Sequence, residues 1–462
     1  MSDLGQVITF AAKLYGEHAS VRYAGYLRRD PMARLELRPG QLNPYPIYAE
    51  LREQGPLART RNGNWVSTSH RVCDAVLRDR RFGVRLEEES PEFEASFLTQ
   101  NPPDHTRLRR LALPAFSPKA VAGYQGRIER TVGDLLDRAL AAGQFDLVAG
   151  FAAPLPIAVI TDLLGIPDAD AAAFARYGAI IGSALDGVKS MRHVQQLIAS
   201  SNAIQEIFRN LFELRRSEPG DDIVSSLVAS SPDRISAAEM RAMCVLLLVA
   251  GFETTVNLIS NAVLALLGHE QQWQALCADP DGLAPRAVEE VLRWDPPVQR
   301  TDRFALHDLE LEGQAIRRGE KVVALIGAAN RDPQVYPDPD TFDIRREHAV
   351  GHLAFSSGIH YCLGQPLARL EATIALRSLA ARMPGLARDG RVMMRNATTI
   401  RGPLHLPVTA QSDKKISSVL TAGAQAPGNA RAPGVTPAAW RDPTGRRRGT
   451  PAPSSRGLRT PG

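Results

Sequence analysis

The chain has 462 residues, 44% of them hydrophobic and 6% aromatic, with a formal net charge of +5. That length suits one large domain or two ordinary ones, and the four cysteines (Cys73, Cys244, Cys277, Cys362) form no CxxC pair, which excludes a zinc site of the usual spacing and a disulfide scaffold. The basic pI near 9.1 does not mark a nucleic-acid binder: residues 412–462 hold nine basic and two acidic groups, a net +7, so residues 1–411 stand near −2.

Residues 1–42 read as an N-terminal segment and 43–411 as one domain dominated by helices. Residues 412–462 read as a basic, Pro/Gly/Ala/Arg-rich disordered tail, too poor in apolar surface to offset its conformational entropy. The apolar runs Val7–Ala12 and Cys244–Gly251 fall short of the roughly 20 residues that a bilayer span needs. The expectation is a soluble, cytoplasmic protein with no membrane span and no nucleic-acid partner, and the sparse cysteines fit a reducing compartment.

Pro44-Tyr45-Pro46 introduces a short helix over 47–54, residues 63–68 read as a strand, and Ser69 starts a further helix. Amphipathic spacing then predicts helices around 125–142, 154–164, 171–184, 190–216, 236–268 and 284–294. Short strands are expected near 304–311, 320–326 and 403–408. The 236–268 segment opens on a capping box, Ser236 with Glu239, and Gly268 sits where a C-cap belongs. Cys244–Gly251 is apolar on every side, so this helix, about 50 Å long at 1.5 Å per residue, should cross a core rather than lie on one.

Chemistry concentrates in Phe355-Ser356-Ser357-Gly358-Ile359-His360-Tyr361-Cys362-Leu363-Gly364. A lone cysteine is ordinarily a small buried hydrophobe. Here glycines at 358 and 364 allow close backbone approach to the sulfur, and the helix opened by Gln365-Pro366 points its positive end at the thiol, which should lower its pKa. Ala250-Gly251-Phe252-Glu253-Thr254-Thr255 interrupts the long helix with a glycine and a hydroxyl that competes for carbonyls, so a local kink is expected there. Glu290 and Arg293 share one helix face, as do His105 and Arg109.

The cysteine loop, the 250–255 segment, Glu290-Val291-Leu292-Arg293 followed by Asp295-Pro296-Pro297, and the 329–346 stretch occur in the order found in the cytochrome P450 family, which the sequence resembles over about 45–410, looking closest to soluble bacterial members. The resemblance implies a mainly α fold with small β-sheets and a long central helix over a haem b. Cys362 would ligate the iron, with Phe355 shielding the sulfur. His105, Arg109, Arg303 and His360 would take the haem propionates. Thr254 would hydrogen-bond the bound oxygen species and Glu253 would relay protons, and Glu290, Arg293 and Arg346 would form a structural triad. The loop 83–99, residues near 176–186, and Leu247, Ala250, Gly251, Val298, Gln299, Thr399 and Ile400 would line the substrate pocket. The acidic cluster Glu87, Glu88, Glu89, Glu92 and Glu94 reads as a solvated loop. Ser356 departs from the family, many members of which have glycine there.

The implied activity is a mono-oxygenase that inserts one atom of O2 into a C–H bond of a small lipophilic substrate. No flavin or iron–sulfur motif is present. The implied electron donor is therefore a separate ferredoxin or flavodoxin, with Arg107, Arg110 and Arg369 as candidate contacts. A peroxide-driven enzyme and a non-enzymatic haem sensor are the alternatives. Glu253-Thr254 argues against the first, and the lack of an output module argues against the second.

Overall fold

The computed structural model describes residues 15–61, 63–86, 96–188, 190–230, 234–347 and 350–410. The expected tail and the acidic cluster of the 83–99 loop lie outside these residues.

The central helix, Ala237–Gly268, owes its start to the capping box: the Ser236 hydroxyl accepts from the Glu239 amide at 3.2 Å and the Glu239 carboxylate from the Ser236 amide at 2.8 Å. Gly268 is its last residue, and His269 closes it by donating its amide to the Leu266 carbonyl. By length and composition alone this helix suffices to cross a bilayer, but 72% of its most apolar window is buried within the protein. The burial follows from its apolar circumference, which leaves no side for water. Met243, Cys244, Leu248, Ile259 and Leu266 are sealed against the helices Pro154–Leu164, Asp168–Gly182, Pro280–Trp294 and Gln365–Arg382.

Strands among the described residues form four small sheets. The five-stranded one runs, in spatial order, Ala58–Arg59, Trp65–Ser67, Lys321–Ala324, Thr301–Ala305 and Phe82–Gly83. Trp65–Ser67 lies parallel to Lys321–Ala324, and the other pairings are antiparallel. Two expected strands split. Thr301–Ala305 and Leu309–Leu311 join different sheets, as do Pro403–His405 and Pro407–Ala410; residues 306–308 separate the first pair, and in the second the break falls at Leu406, just before a proline that opens the next strand.

The boundary expected at residue 43 does not divide the structure. Short helices at Pro31–Leu35 and Arg38–Leu42 precede it, and Leu35 packs in one apolar cluster with Ile47, Tyr48, Leu51 and Val323. The Glu36 carboxylate also pairs with Arg300 at 2.8 Å.

Glu290 and Arg293 are completely buried and joined by two bonds of 2.8 Å, and Arg346 reaches the same carboxylate at 3.3 Å. Arg293 also donates to the carbonyls of Asn330, Pro339 and Thr341, and Arg346 to those of Pro337, Asp338 and Thr341. A buried ion pair holds only when its remaining protons are satisfied in this way. The three residues staple the coil after Ala329 to the helix Pro280–Trp294.

Candidate functional site

Cys362 ends a tight loop that leads into the helix Gln365–Arg382. The loop closes when the Cys362 amide donates to the Phe355 carbonyl at 2.9 Å. Gly358, at φ +67°, presses on the helix His70–Arg78: a Cβ there would overlap the Leu77 carbonyl and lie 3.0 Å from the Arg78 Cα. The glycine thus serves this approach and the left-handed turn. Ser356 occupies a left-handed conformation as well, φ +64°, with its hydroxyl buried and unbonded.

The thiol departs from expectation. Burial raises its pKa above the ordinary value, although the Gly364 and Gln365 amides and the Arg109 and Arg369 charges pull the other way. Desolvation outweighs the helix end. Cys362 keeps part of its surface accessible, so a cation bound at the sulfur would reverse that balance. Phe355 contributes its carbonyl to the loop while its ring lies under the Arg369 guanidinium, 4.5 Å from ring centre to Cζ.

Beside the loop, four nitrogen bases converge. The His105 and His360 rings are 4.3 Å apart. The His360 pKa is pushed down to about 3, first by burial and then by Arg303, His105 and Arg109. Arg303, 5% exposed, falls to about 10 through burial, and its bonds go to Thr301 Oγ1 and the Asp302 carbonyl. Arg109 donates to the Tyr361 carbonyl at 2.5 Å. His105 is buried and, although the Ile359 carbonyl lies near enough to favour its charged form, neither ring nitrogen makes a well-formed hydrogen bond. Buried donors without acceptors are rare. This cluster next to a partly accessible thiol therefore has the chemistry to receive a dianion carrying a thiolate-seeking metal, as a haem with its two propionates does.

The central helix has one open stretch: Ala250 is exposed and Gly251 and Thr254 half-buried, among neighbours that are almost all buried. The Thr254 hydroxyl donates to the Ala250 carbonyl at 2.7 Å. The helix nevertheless runs unbroken, because this bond follows the i to i−4 direction of the helix itself. Glu253 is buried against the other side, where its carboxylate pairs with Arg395 at 2.7 Å. Leu247 is buried one turn earlier.

Val298 forms a β-bridge with Ile400, and the Gln299 amide donates to the Thr399 carbonyl at 2.9 Å. The Gln299 side chain is buried, and its amide group accepts from the Tyr48 hydroxyl, donates to the Pro296 carbonyl and packs on Gly327.

Two of the three arginines expected to face an electron donor are engaged internally. Arg107 pairs with Glu239 at 2.5 Å and Asp104 at 2.8 Å, and Arg369 with Glu289 at 2.5 Å. Arg110 is exposed. A cleft of about 530 Å³ adjoins the cysteine loop, lined in part by Arg78, Glu289, His352, Ser357 and Tyr361.

A loop cysteine beside a cluster of buried nitrogen bases, in a fold built on one long buried helix, is an arrangement that fits a haem protein. The profile of the family described as Cytochrome P450 matches residues 283–382. A putative cytochrome P450 140 of Mycobacterium tuberculosis is 38% identical over 424 residues, 86% of this chain and 96% of that protein. The cytochrome P450 monooxygenase PikC of Streptomyces venezuelae is 39% identical over 386 residues, 79% of this chain and 91% of its own. The solved structure of CYP164A2 from Mycobacterium smegmatis superposes with a TM-score of 0.77 at 38% identity, over 82% of this chain and 99% of that one. The chain belongs to the cytochrome P450 family, and its activity is that of a haem-thiolate mono-oxygenase acting on lipophilic substrates with electrons from a separate partner.

Proposed function

We propose that the bound group is haem b, held by Cys362 on the iron and by His105, Arg109, Arg303 and His360 at the propionates. The observation that carries this reading is the unbonded, buried His105 among cationic neighbours beside the Cys362 thiol. The absence of a CxxCH motif supports non-covalent attachment. When bound, haem supplies the activation of dioxygen and the attack on the C–H bond.

The chain's own residues do the rest. Amides of Gly364 and Gln365 stabilise negative charge on the sulfur. Thr254 holds a hydroxyl proton at the open stretch of the helix, and Glu253, buried with Arg395, supplies the acid. Leu247, Ala250, Gly251, Val298, Thr399 and Ile400 exclude water and select for apolar groups. An acidic ferredoxin or flavodoxin in the cytoplasm would dock near Arg110 and the cleft beside the cysteine loop.

Haem titration of the full chain should give a reduced carbon monoxide spectrum of the thiolate type, lost in Cys362→Ser with the helical circular dichroism intact. A thiolate spectrum that survives this substitution overturns the assignment. Arg110→Glu should slow reduction by a ferredoxin at low salt. An unchanged rate removes that contact.

A further inference from the structure

The Glu253 carboxylate is not poised freely over the open stretch of the helix. Its side chain is 6% exposed and accepts from Arg395 Nη1 at 2.7 Å, and that arginine side chain is itself 14% exposed. The helix Asp168–Gly182 ends against it, and only a glycine fits there: a Cβ on Gly182 would lie 2.6 Å from the Glu253 Cγ. The Glu253 carbonyl accepts from Asn257 Nδ2 at 2.7 Å, and Asn257 in turn packs on Gly402, where a Cβ would lie 2.6 Å from its Cγ.

Arg395 belongs to the segment read above as lining the pocket. It follows the strand Met393–Met394, which pairs with Pro403–His405, and its amide donates to the Gly402 carbonyl at 3.0 Å. Between these anchors the chain passes through Thr399, whose carbonyl accepts from Gln299, and Ile400, which bridges Val298. The Arg401 amide then donates to the Pro297 carbonyl at 2.7 Å. One eight-residue turn, 395–402, thus carries both the cation on the acid and two pocket residues.

We infer that Arg395 is a positioning residue for Glu253, holding its carboxylate ionised and aimed, and tying the aim of that acid to the pocket segment 395–402. The inference rests on the reading of Glu253 as the proton-delivering acid. A partly buried carboxylate beside a guanidinium keeps its charge because the cation offsets desolvation. Removing the cation takes away an ion pair that offsets the cost of keeping this buried carboxylate charged.

The test uses the full chain and compares Arg395→Met, Arg395→Lys and Glu253→Gln, with thermal melting to establish that each is folded. Infrared difference spectra across pH, referenced to Glu253→Gln, report the protonation of this one carboxyl. Arg395→Met should raise its pKa by about one to three units and Arg395→Lys by less than one. In the haem-loaded protein, supplied with a surrogate ferredoxin and its reductase and no substrate, the share of consumed oxygen released as hydrogen peroxide should rise severalfold in Arg395→Met. Arg395→Lys should bring it back. An unmoved Glu253 titration in Arg395→Met overturns the inference, as does a lysine variant no better than methionine. If Glu253→Gln itself keeps the wild-type peroxide share, the catalytic reading of Glu253 falls. If Glu253→Gln is impaired while Arg395→Met is not, only the role of Arg395 falls.

Discussion

Gly358→Ala tests why the cysteine loop lies where it does. Two separable terms oppose an alanine. The first is the left-handed backbone, φ +67°, which disfavours a residue with a Cβ by about 1–2 kcal/mol. The second is the overlap with the Leu77–Arg78 backbone, which cannot rotate away as a side chain would. Overpacking of this kind typically adds about 1–3 kcal/mol. Gly313 provides the control, because it has nearly the same φ, +71°, and a Cβ added there would meet nothing within 4 Å. Gly313→Ala should therefore lose only the backbone term. Chemical denaturation of both variants against wild type measures the two together and apart, and Gly358→Ala should fall about 1–3 kcal/mol below Gly313→Ala. Haem affinity should fall with it, since Cys362 lies four residues on. Equal destabilisation of the two variants would refute the close-approach argument.

Ser356→Gly should stabilise the protein by about 0.5–1 kcal/mol, because it relieves a left-handed serine with a buried, unbonded hydroxyl, and an unchanged denaturation midpoint would count against this. Arg293→Met should lose about 3–5 kcal/mol by removing the closer of the two arginines on the buried Glu290 carboxylate together with its three backbone contacts, measured by the same denaturation, whereas a loss under about 1 kcal/mol would mean that the pair is dispensable. Burial pushes the Glu289 carboxyl up, but His352 and Arg369 hold it down at about 2. A depressed carboxylate stabilises above its unfolded pKa of about 4.3 and loses that contribution as pH falls through its folded value. The stability gap between wild type and Glu289→Gln should therefore close between about pH 4.5 and 2, and a gap constant with pH would show that the charge is not responsible.

What the sequence displays is local. The cysteine loop, the capping box and the Glu290–Arg293 spacing each lie within ten residues, so composition and periodicity reveal them. Apolar wrapping of Cys244–Gly251 also announces a helix through the core. Partners far along the chain stay hidden. Arg107 meets Glu239 across 132 positions and Arg369 meets Glu289 across 80, so both arginines look like free surface charge in the sequence. Arg395 has no motif and finds Glu253 across 142 positions. The helix end alone predicts a lowered thiol pKa, and the opposing desolvation depends on packing that only the folded chain contains.

The stretch between Ala329 and Gly358 contains no helix or strand among its described residues, a length of coil that is unusual inside a compact domain. From Pro337 to Thr341, five consecutive carbonyls each accept from a side chain: Arg346 serves Pro337 and Asp338, Arg293 serves Pro339, the Trp294 indole serves Asp340, and both arginines serve Thr341. The protein grips this part of itself as a receptor grips an extended peptide, through side-chain donors along the backbone. Such a segment has the outward look of a loop and the mechanics of a bound ligand. It should resist proteolytic nicking and reject insertions, while the tight turn at the exposed Gly313, held from outside its hairpin through the Arg71–Glu312 pair, should accept both more readily.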